Sequence, residues 1–566
     1  MKWYLIILVW FFLLIGCKKE SSNPVEPTPT TPVVKILSPT NNFNIIDSVT
    51  IDISATDDKG IVKVEILIDN LVAKTFSVPP FMYLWDASII TDSSQHSIYA
   101  KAYDGDNNIS SSSVITVTIN RLAPSDLTLV ELTDKQVSLK WNDNSKIETS
   151  FVVEMSTDSI SYSSLGELPP NTIETVISHS FTFGNKYYFK VGAKVNNSIK
   201  YSNHVSQKLK NVFMKTFGGV NDDGANCVQQ TSDGGFVLAG STRSFGAGQS
   251  DVYLIKTDST GNKVWEKTFG GSNDDFGYSV QETFDGGYVI TGSTSSFGAG
   301  LDDIYLVKTD ANGNAIWEKT FGGSNWDYGR SVKQSTDGGF IITGWTYSLG
   351  AGEADVYLVK TDNVGNKIWE KTFGGSKHEI GFFVQQTSDG GFIIGGTKTN
   401  ESTSDFYLIK TSTTGNKVWE KTFGGSNLEG VYSGQQTSDD GFIIVGYTKS
   451  FGVGNNDVYL VRTDISGNSI WEKTFGGSKD DMGRSVQQTS DGGFIVAGST
   501  FSFGAGLDGI YLIKTDATGN KTWEKTFGDN GVGTSIQQTT EGGFIIAGST
   551  KGDVVLIKTD SEGNAK

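Results

Sequence analysis

The sequence predicts an all-β protein: two β-sandwich modules, then a seven-bladed, four-stranded β-propeller closed by an N-terminal strand. All ten prolines lie before residue 171, which suits a continuous array of hydrogen-bonded strands after that point. A period near 50 residues is typical of propeller blades. The phrase WEKTFG recurs at spacings of 52, 52, 50, 52 and 52 residues, beginning at Trp265, Trp317, Trp369, Trp419, Trp471 and Trp523.

Each repeat contains four short segments with strand character. Turn signals separate them: Ser232-Asp233-Gly234-Gly235 suits a tight hairpin, and residues 257–262 suit a longer turn with glycine in the left-handed region. Apolar runs such as 340–342 lack alternation, which indicates burial on both faces. In one repeat the predicted strands are Ser279–Thr283, Gly287–Thr294, Asp303–Thr309 and Asn314–Phe321.

The ends of the repeat region are predicted to pair with each other. The last repeat stops at Lys566, where the others continue into their tryptophan strand. Residues 211–219 fit that missing strand, with Phe213 in the tryptophan position. Pairing of this segment with 553–559 would close the ring and remove a free sheet edge.

Residues 211–566 resemble the bacterial seven-bladed β-propeller repeat family through their D-x-x-G-N, Trp and G-G-S-x-D-D-x-G motifs. Residues 516–523 are also similar to quinoprotein (PQQ) propeller repeats. The paired cysteines found in many quinoproteins are missing, and those proteins usually have eight blades, so no cofactor is predicted. The resemblance implies a fold and no particular chemistry.

The N-terminus has the features of an export signal. An apolar run over 3–15 follows Lys2 and is short for a membrane span. Leu14-Ile15-Gly16-Cys17 resembles a bacterial lipobox, which implies a signal peptide over 1–16 and a lipid on Cys17. Residues 17–32 would form the lipidated cysteine and a Pro-rich tether, anchoring the protein to the cell envelope, in the outer membrane or on the cell surface. A plain signal peptide or a short anchor is the alternative.

Two modules follow the tether. Residues 33–120 show period-two strands separated by turns and resemble a bacterial Ig-like β-sandwich. Residues 121–210 resemble a fibronectin type III module, through Val137-Ser138-Leu139-Lys140-Trp141 and Tyr187-Tyr188-Phe189-Lys190-Val191. No Arg-Gly-Asp tripeptide occurs, so a spacer role is expected for this module.

Composition limits the chemistry that the chain can support. The formal net charge of −17 argues against nucleic-acid binding, which needs a basic face. The protein is expected to be a monomer. Of four histidines only His378 lies in the repeats, so neither a histidine-based catalytic site nor a metal site is predicted. Acidic pairs such as Asp274-Asp275 recur between repeats and fit either a turn device or an acid/base pair.

One repeat departs from the others in a concentrated way. Trp326 and Tyr328 replace an aspartate and a phenylalanine of the preceding repeat, Arg330 follows, and Trp345 and Tyr347 replace two serines. The two loops lie at the same end of adjacent strands, so these residues are predicted to form a ligand-binding rim for sugar or peptide. Packing between blades is the alternative.

These features favour a surface-anchored lipoprotein whose propeller is a non-catalytic binding platform for glycan or protein. One alternative is a propeller enzyme, a glycan lyase or hydrolase that uses rim carboxylates. Another is a structural or adhesive surface protein.

Lipidation gives the first testable prediction. Replacing Cys17 with Ala should abolish fatty-acid labelling and membrane retention, because the lipid loses its attachment site. Cells labelled with a radioactive fatty acid and then fractionated provide the measurement, with Ser21→Ala as the control. Equal labelling and retention in the Cys17→Ala protein would contradict the prediction.

Overall fold

The computed structural model describes residues 30–45, 48–90, 94–119, 123–144, 148–195, 198–504, 508–528 and 530–565. The chain divides into two compact units, Met1–Leu209 and Lys210–Lys566. The predicted signal peptide, Cys17 and the tether up to residue 29 lie outside the described residues. Every regular element in the described ranges is a β-strand. No helix suitable for crossing a membrane is found there.

The first module consists of two sheets that share one buried core. One sheet has the order β1-β3-β6 and the other β2-β9-β7-β4-β5, with β8 beside β7. Ile51, Val64 and Ile98 are fully buried in that core. The strands are β1 (Val33–Ser38), β2 (Phe43–Ile45), β3 (Ser48–Thr56), β4 (Ile61–Ile68), β5 (Leu71–Phe76), β6 (Phe81–Asp86), β7 (Gln95–Asp104), β8 (Ile109–Ser111) and β9 (Ile115–Ile119).

The second module also has two sheets around one core. Trp141 is buried in it, with its ring 5.6 Å from that of Phe151, and the Thr182 N–H donates to Tyr187 Oη at 2.8 Å. The sheet orders are β10-β11-β14 and β13-β12-β15-β16, with β17 beside β15. The strands are β10 (Ser125–Leu132), β11 (Gln136–Asn142), β12 (Ser150–Ser156), β13 (Ser163–Leu168), β14 (Glu174–Ser178), β15 (Lys186–Val195), β16 (Ser198–Tyr201) and β17 (Val205–Lys208).

The second unit consists of seven antiparallel sheets of four strands each. Strand β18 (Phe213–Phe217) comes first in the chain. Sheet 1 is β19 (Asp223–Gln230), β20 (Phe236–Thr242), β21 (Asp251–Thr257) and β22 (Lys263–Phe269); sheet 2 is β23 (Asp275–Glu282), β24 (Tyr288–Thr294), β25 (Asp303–Thr309) and β26 (Ala315–Phe321). Sheet 3 is β27 (Asp327–Gln334), β28 (Phe340–Thr346), β29 (Asp355–Thr361) and β30 (Lys367–Phe373); sheet 4 is β31 (Glu379–Gln386), β32 (Phe392–Thr399), β33 (Ser404–Thr411) and β34 (Lys417–Phe423). Sheet 5 is β35 (Glu429–Gln436), β36 (Phe442–Thr448), β37 (Asp457–Thr463) and β38 (Ser469–Phe475); sheet 6 is β39 (Asp481–Gln488), β40 (Phe494–Thr500), β41 (Gly509–Thr515) and β42 (Lys521–Phe527). Sheet 7 is β43 (Gly531–Gln538), β44 (Phe544–Thr550), β45 (Asp553–Thr559) and the early strand β18.

The first strand of sheet 2, the repeat whose strands were predicted, begins earlier than the sequence predicts. In sheet 2 it begins at Asp275 rather than at Ser279, and its register shifts between Gly277 and Ser279. This shift is a β-bulge, in which one strand carries an extra residue opposite its partner. A bulge interrupts the period-two pattern, and the prediction therefore missed the first four residues of the strand.

Strand β18 pairs with the end of the chain, as predicted. It lies antiparallel to β45, with Phe213 opposite Lys558 and Phe217 opposite Val554. The Phe213 side chain is buried and lies against Phe236 of sheet 1, with 6.2 Å between the ring centroids. It also contacts the turn at Gly261, the place that Trp265 occupies against Gly313 in the next repeat. Phe213 therefore takes the structural role of the repeat tryptophan.

Apolar side chains fill both faces of the middle strands. Strands β21, β25 and β29 are buried at every position, which accounts for their lack of alternation. Each pair of consecutive sheets shares one hydrophobic cluster, and a seventh cluster joins sheet 7 to sheet 1. First strands contact each other in the same cyclic order, with β43 against β19.

A ring of equivalent hydrogen bonds follows this order. In every sheet the hairpin after the first strand donates one backbone N–H to a side-chain oxygen of the next sheet, at 2.8 to 3.0 Å. The acceptor is a glutamine in six cases and a glutamate in one. The donor and acceptor pairs are Ser232–Glu282, Phe284–Gln334, Thr336–Gln386, Ser388–Gln436, Ser438–Gln488, Ser490–Gln538 and Thr540–Gln230.

The contacts of Phe213 predict that it stabilises the second unit. Phe213→Ala would leave a cavity against Phe236 and should reduce the free energy of unfolding by about 3 kcal/mol, since truncating a buried phenylalanine typically has this effect. Thermal denaturation of the full chain measures it as a lower melting temperature. Val220→Ala, which truncates a 95% exposed side chain, is the control and should have no effect. An unchanged melting temperature in Phe213→Ala would show that β18 does not support the unit.

Candidate ligand-binding site

The first strands of all seven sheets line one cavity of about 670 Å³. This size is within the range of pockets that bind small molecules. Three positive side chains line the cavity, those of Arg330, Lys333 and Arg484. Among the residues that the structure describes, no aspartate or glutamate lines it. The cavity is therefore electropositive in a chain whose net charge is −17.

Each sheet contributes its bulge residue to the cavity wall. These seven residues, which we call the variable ring, are the ones skipped in the register of the first two strands. Bulges often occur next to binding sites, where they change the direction of a side chain. The variable ring consists of Asn226, Tyr278, Arg330, Phe382, Tyr432, Arg484 and Thr534.

The positions after the variable ring hold the sheets together. The next residue is serine in five sheets, and in each of these its hydroxyl accepts a backbone N–H from the following sheet. Two residues further on, a glutamine carbonyl accepts another such N–H in five sheets. Each first strand thus combines one variable residue at the bulge with structural residues at the serine and glutamine positions.

Three of the five predicted rim residues form one packed group. The rings of Tyr328 and Trp345 lie 4.9 Å apart, and the Arg330 guanidinium lies 5.0 Å from the Trp345 ring. Trp345 also packs against Phe382 of sheet 4, at 6.0 Å. Burial raises the pKa of Tyr328, and a hydrogen bond to Asp302 raises it further. These three side chains are partly buried and contribute both to packing between sheets and to the surroundings of the cavity.

Trp326 and Tyr347 form a second, more exposed group. Trp326 is 43% exposed, and its ring lies 6.1 Å from that of Tyr347, nearly perpendicular to it. The Tyr347 N–H donates to the Trp326 carbonyl at 2.9 Å, and its ring lies 5.9 Å from that of His378. Within the described ranges, no ring contact joins these two residues directly to Arg330 or Trp345. The five predicted residues therefore occupy two neighbouring groups on sheet 3.

Sequence reasoning missed Tyr278, Phe382, Tyr432 and Arg484. All four occupy the same repeat position as Arg330, which was predicted. The signal for them was available, because this position differs between repeats while the serine or glutamine positions beside it change little. The prediction compared one unusual repeat with its predecessor, whereas the site is distributed over five sheets.

Asp275, the second carboxylate of the pair Asp274-Asp275, holds its loop in place. The Asp275 carboxylate is buried and accepts the Gly271 N–H at 2.8 Å and the Ser296 hydroxyl at 2.7 Å. It shares the space beside Gly270 with Asp251: a Cβ at Gly270 would lie 2.5 Å from Asp275 Oδ2 and 2.6 Å from Asp251 Oδ1. In the described part of the chain, no group of three or more His, Cys, Asp or Glu side chains is placed to hold a metal ion.

Comparisons with known proteins identify part of the first unit. A family model for a bacterial Ig domain matches residues 32–100. This match confirms an Ig-type module, and all but its first residue lies in the predicted range 33–120. No curated protein matches the chain.

Several solved structures show weak similarity. A Bacteroides caccae protein of unknown function covers 51% of this chain and 93% of its own length, at 11% identity and a TM-score of 0.33. Sqt1 from Chaetomium thermophilum covers 60% of this chain and 82% of its own, at 12% identity and a TM-score of 0.37. Fibronectin(III)-like modules of Clostridium thermocellum CbhA cover 31% of this chain and 94% of their own, at 15% identity and a TM-score of 0.16. Similarity at these scores identifies neither a fold nor a function for this chain.

The proximity of the Asp251 and Asp275 carboxylates predicts a pH effect on stability. Burial raises the pKa of Asp251, and the nearby Asp275 contributes. Because the folded pKa is above the unfolded one, ionisation of Asp251 destabilises the fold as pH rises through the interval between the two values. Asp251→Asn should therefore raise the melting temperature at pH 7, and the gain should disappear below pH about 3.9, the unfolded pKa of aspartate.

The measurement is a set of melting curves at pH 3 and pH 7 for Asp251→Asn. Asp274→Asn, which changes the neighbour of Asp275 in the chain, is the control. A lower melting temperature for Asp251→Asn at pH 7 would show that the charge at this position is stabilising.

Proposed function

We propose that the seven sheets of the second unit form a closed β-propeller that presents a ligand-binding site. The cyclic order of contacts supports this arrangement, since the cluster and the hydrogen bond that join sheet 7 to sheet 1 are equivalent to those within the series. The pairing of β18 with β45 supports it as well, because it completes the seventh four-stranded sheet.

The proposed function is a non-catalytic binding platform for glycan or protein on a surface lipoprotein. Cys17 would carry the lipid, and the Ig-type module with the fibronectin-like module after it would act as spacers. Ig-type modules suit a surface or adhesive protein. The lipobox at 14–17 supports export and anchoring to the outer membrane or cell surface.

The observation that carries the binding proposal is the concentration of aromatic and arginine side chains on sheets 2 to 6. Ring contacts continue from Tyr328 through Trp345 and Phe382 to Tyr432 and Tyr447. The equivalent positions in sheets 1 and 7 hold Gly224, Asn226, Ser241, Val532, Thr534 and Ser549. A frame that needed these aromatics for closure would have them in every sheet. Aromatic faces combined with a polar rim suit contact with sugars or with protein side chains.

Binding explains the rim better than hydrolysis does. Hydrolysis by paired carboxylates requires acids that are free to face a substrate. Asp223, Asp275 and Asp327 are buried and each accepts hydrogen bonds from its own loop. Their geometry therefore fits a structural role.

The fourth prediction tests the rim. The full chain, purified in detergent, would be screened on an array of bacterial and host glycans and on a panel of surface proteins. Trp326→Ala combined with Trp345→Ala should weaken the best interaction by about tenfold or more, because tryptophans commonly dominate such contacts. Phe284→Ala removes a 73% exposed aromatic at the opposite end of sheet 2 and should leave affinity unchanged. Unaltered affinity in a folded double variant would place the site elsewhere.

A further inference from the structure

The cavity contains two arginines that the protein does not neutralise. Arg330 and Arg484 both belong to the variable ring. Within the described ranges, neither guanidinium forms an ion pair with a carboxylate. The Nε atom of each is buried and has no hydrogen-bond partner. Buried donors without an acceptor are rare in proteins, because leaving them unpaired costs free energy.

Aromatic rings hold these arginines in place instead. The Arg330 guanidinium lies 3.9 Å from the centre of the Tyr278 ring and 5.8 Å from that of Phe382. The Arg484 guanidinium lies 5.0 Å from the Tyr432 ring. A guanidinium over an aromatic face is attracted to the ring while its N–H groups stay available for other partners. Burial lowers the pKa of Arg330, and the positive charge of Arg484 contributes to that decrease.

Phe382 and Tyr432 lie between the two arginines in the order of the sheets. Their rings are in edge contact, with 5.7 Å between centroids. One side of the cavity therefore presents a cation, two aromatic rings and a second cation. This pattern matches a molecule that has both an apolar ring face and an anionic group.

Lys333 adds a third positive charge at a structural cost. It replaces one of the glutamines that link neighbouring sheets: Gln281 and Gln385, the equivalents in sheets 2 and 4, each accept an N–H of the next sheet. A lysine ammonium cannot accept a hydrogen bond. Lysine at this position therefore contributes no bond to the next sheet. An anionic ligand in the cavity would be attracted to its charge.

We infer that this cavity binds a saccharide carrying an oxyanion, a carboxylate or a sulfate, held by Arg330 and Arg484 with Phe382 and Tyr432 against the sugar ring. Arginine pairs with both anions through two parallel N–H groups. The inference rests on the proposed function in that it takes the ligand of the platform to be a glycan, and it names the class of that glycan.

Calorimetric titration of the full chain in detergent tests this inference. The probes are a trigalacturonate, a 6-sulfated galactose disaccharide, neutral galactotriose and inorganic sulfate. At least one acidic saccharide should bind about tenfold or more tightly than galactotriose, and its affinity should fall as salt rises. The stronger of the two acidic probes identifies the anion. Equal affinity for acidic and neutral saccharides, or binding of inorganic sulfate alone, would overturn the inference.

Three variants locate the site. Arg330→Gln and Arg484→Gln should each weaken the acidic saccharide about tenfold, whereas Arg243→Gln, at a 58% exposed arginine outside the cavity lining, should not. Arg330→Lys keeps the charge and should recover part of the loss, which separates binding from misfolding. Undiminished affinity in both glutamine variants would contradict the inference. If the protein binds a ligand through Trp326 and Trp345 but binds no acidic saccharide, the proposed binding platform stands. Only the assignment of an acidic saccharide is then overturned.

Discussion

The second unit depends on one repeated hydrogen bond, donated by a hairpin N–H of one sheet to the glutamine or glutamate side chain of the next. Seven such bonds link the sheets in cyclic order, the last from Thr540 to Gln230. Each hairpin is fixed from within its own sheet as well, because a buried cation of the third strand pairs with the hairpin acid, as Lys256 does with Asp233. Burial tends to raise the pKa of Asp233, but hydrogen bonds from Thr231 and Lys256 outweigh it and lower that pKa to about 2. These contacts join neighbouring sheets and fix each hairpin without using the bulge residues.

The variable ring is consequently free to differ between repeats. Hydrophobic clusters between the sheets and the serine and glutamine positions of the first strand maintain the frame. Some bulge residues add a bond to it: Asn226 donates to the Gly277 carbonyl at 2.8 Å and Thr534 to the Ala225 carbonyl at 2.7 Å. Tyr278, Arg330 and Arg484 occupy the same bulge in different sheets and have very different side chains. Substitutions at the serine and glutamine positions are fewer and are therefore more informative about function. Lys333 removes an acceptor for a neighbouring N–H and contributes a charge instead.

Much of the fold could be predicted from the sequence, because each period supplies turns at fixed offsets and strands long enough to recognise. The extra residue in each first strand could not be predicted, because a bulge interrupts alternation and its position is decided by pairing with the second strand. Phe383 shows a second limit. It replaces the serine that follows the bulge in other sheets, and it fits only because Gly395 and Gly434 leave room, since a Cβ at either glycine would overlap the Phe383 ring. In the sequence, Phe383, Gly395 and Gly434 are three unrelated exceptions to the repeat, whereas in the structure they pack together. For the site, the sequence indicated Arg330 and the aromatics of sheet 3, but two aromatic partners of Arg330, Tyr278 and Phe382, come from other sheets.

Hydrogen exchange of the hairpin amides is the most direct test of the frame on which this account depends. The hairpin after β43 contains the Thr540 N–H, which joins sheet 7 to sheet 1, and the hairpin after β27 contains the equivalent Thr336 N–H within the series. Exchange followed by mass spectrometry should give similar protection for the two hairpins, because their N–H groups donate equivalent hydrogen bonds to a glutamine of the next sheet. Free exchange in the Thr540 hairpin beside a protected Thr336 hairpin would contradict the cyclic frame, and with it the cavity to which all seven sheets contribute.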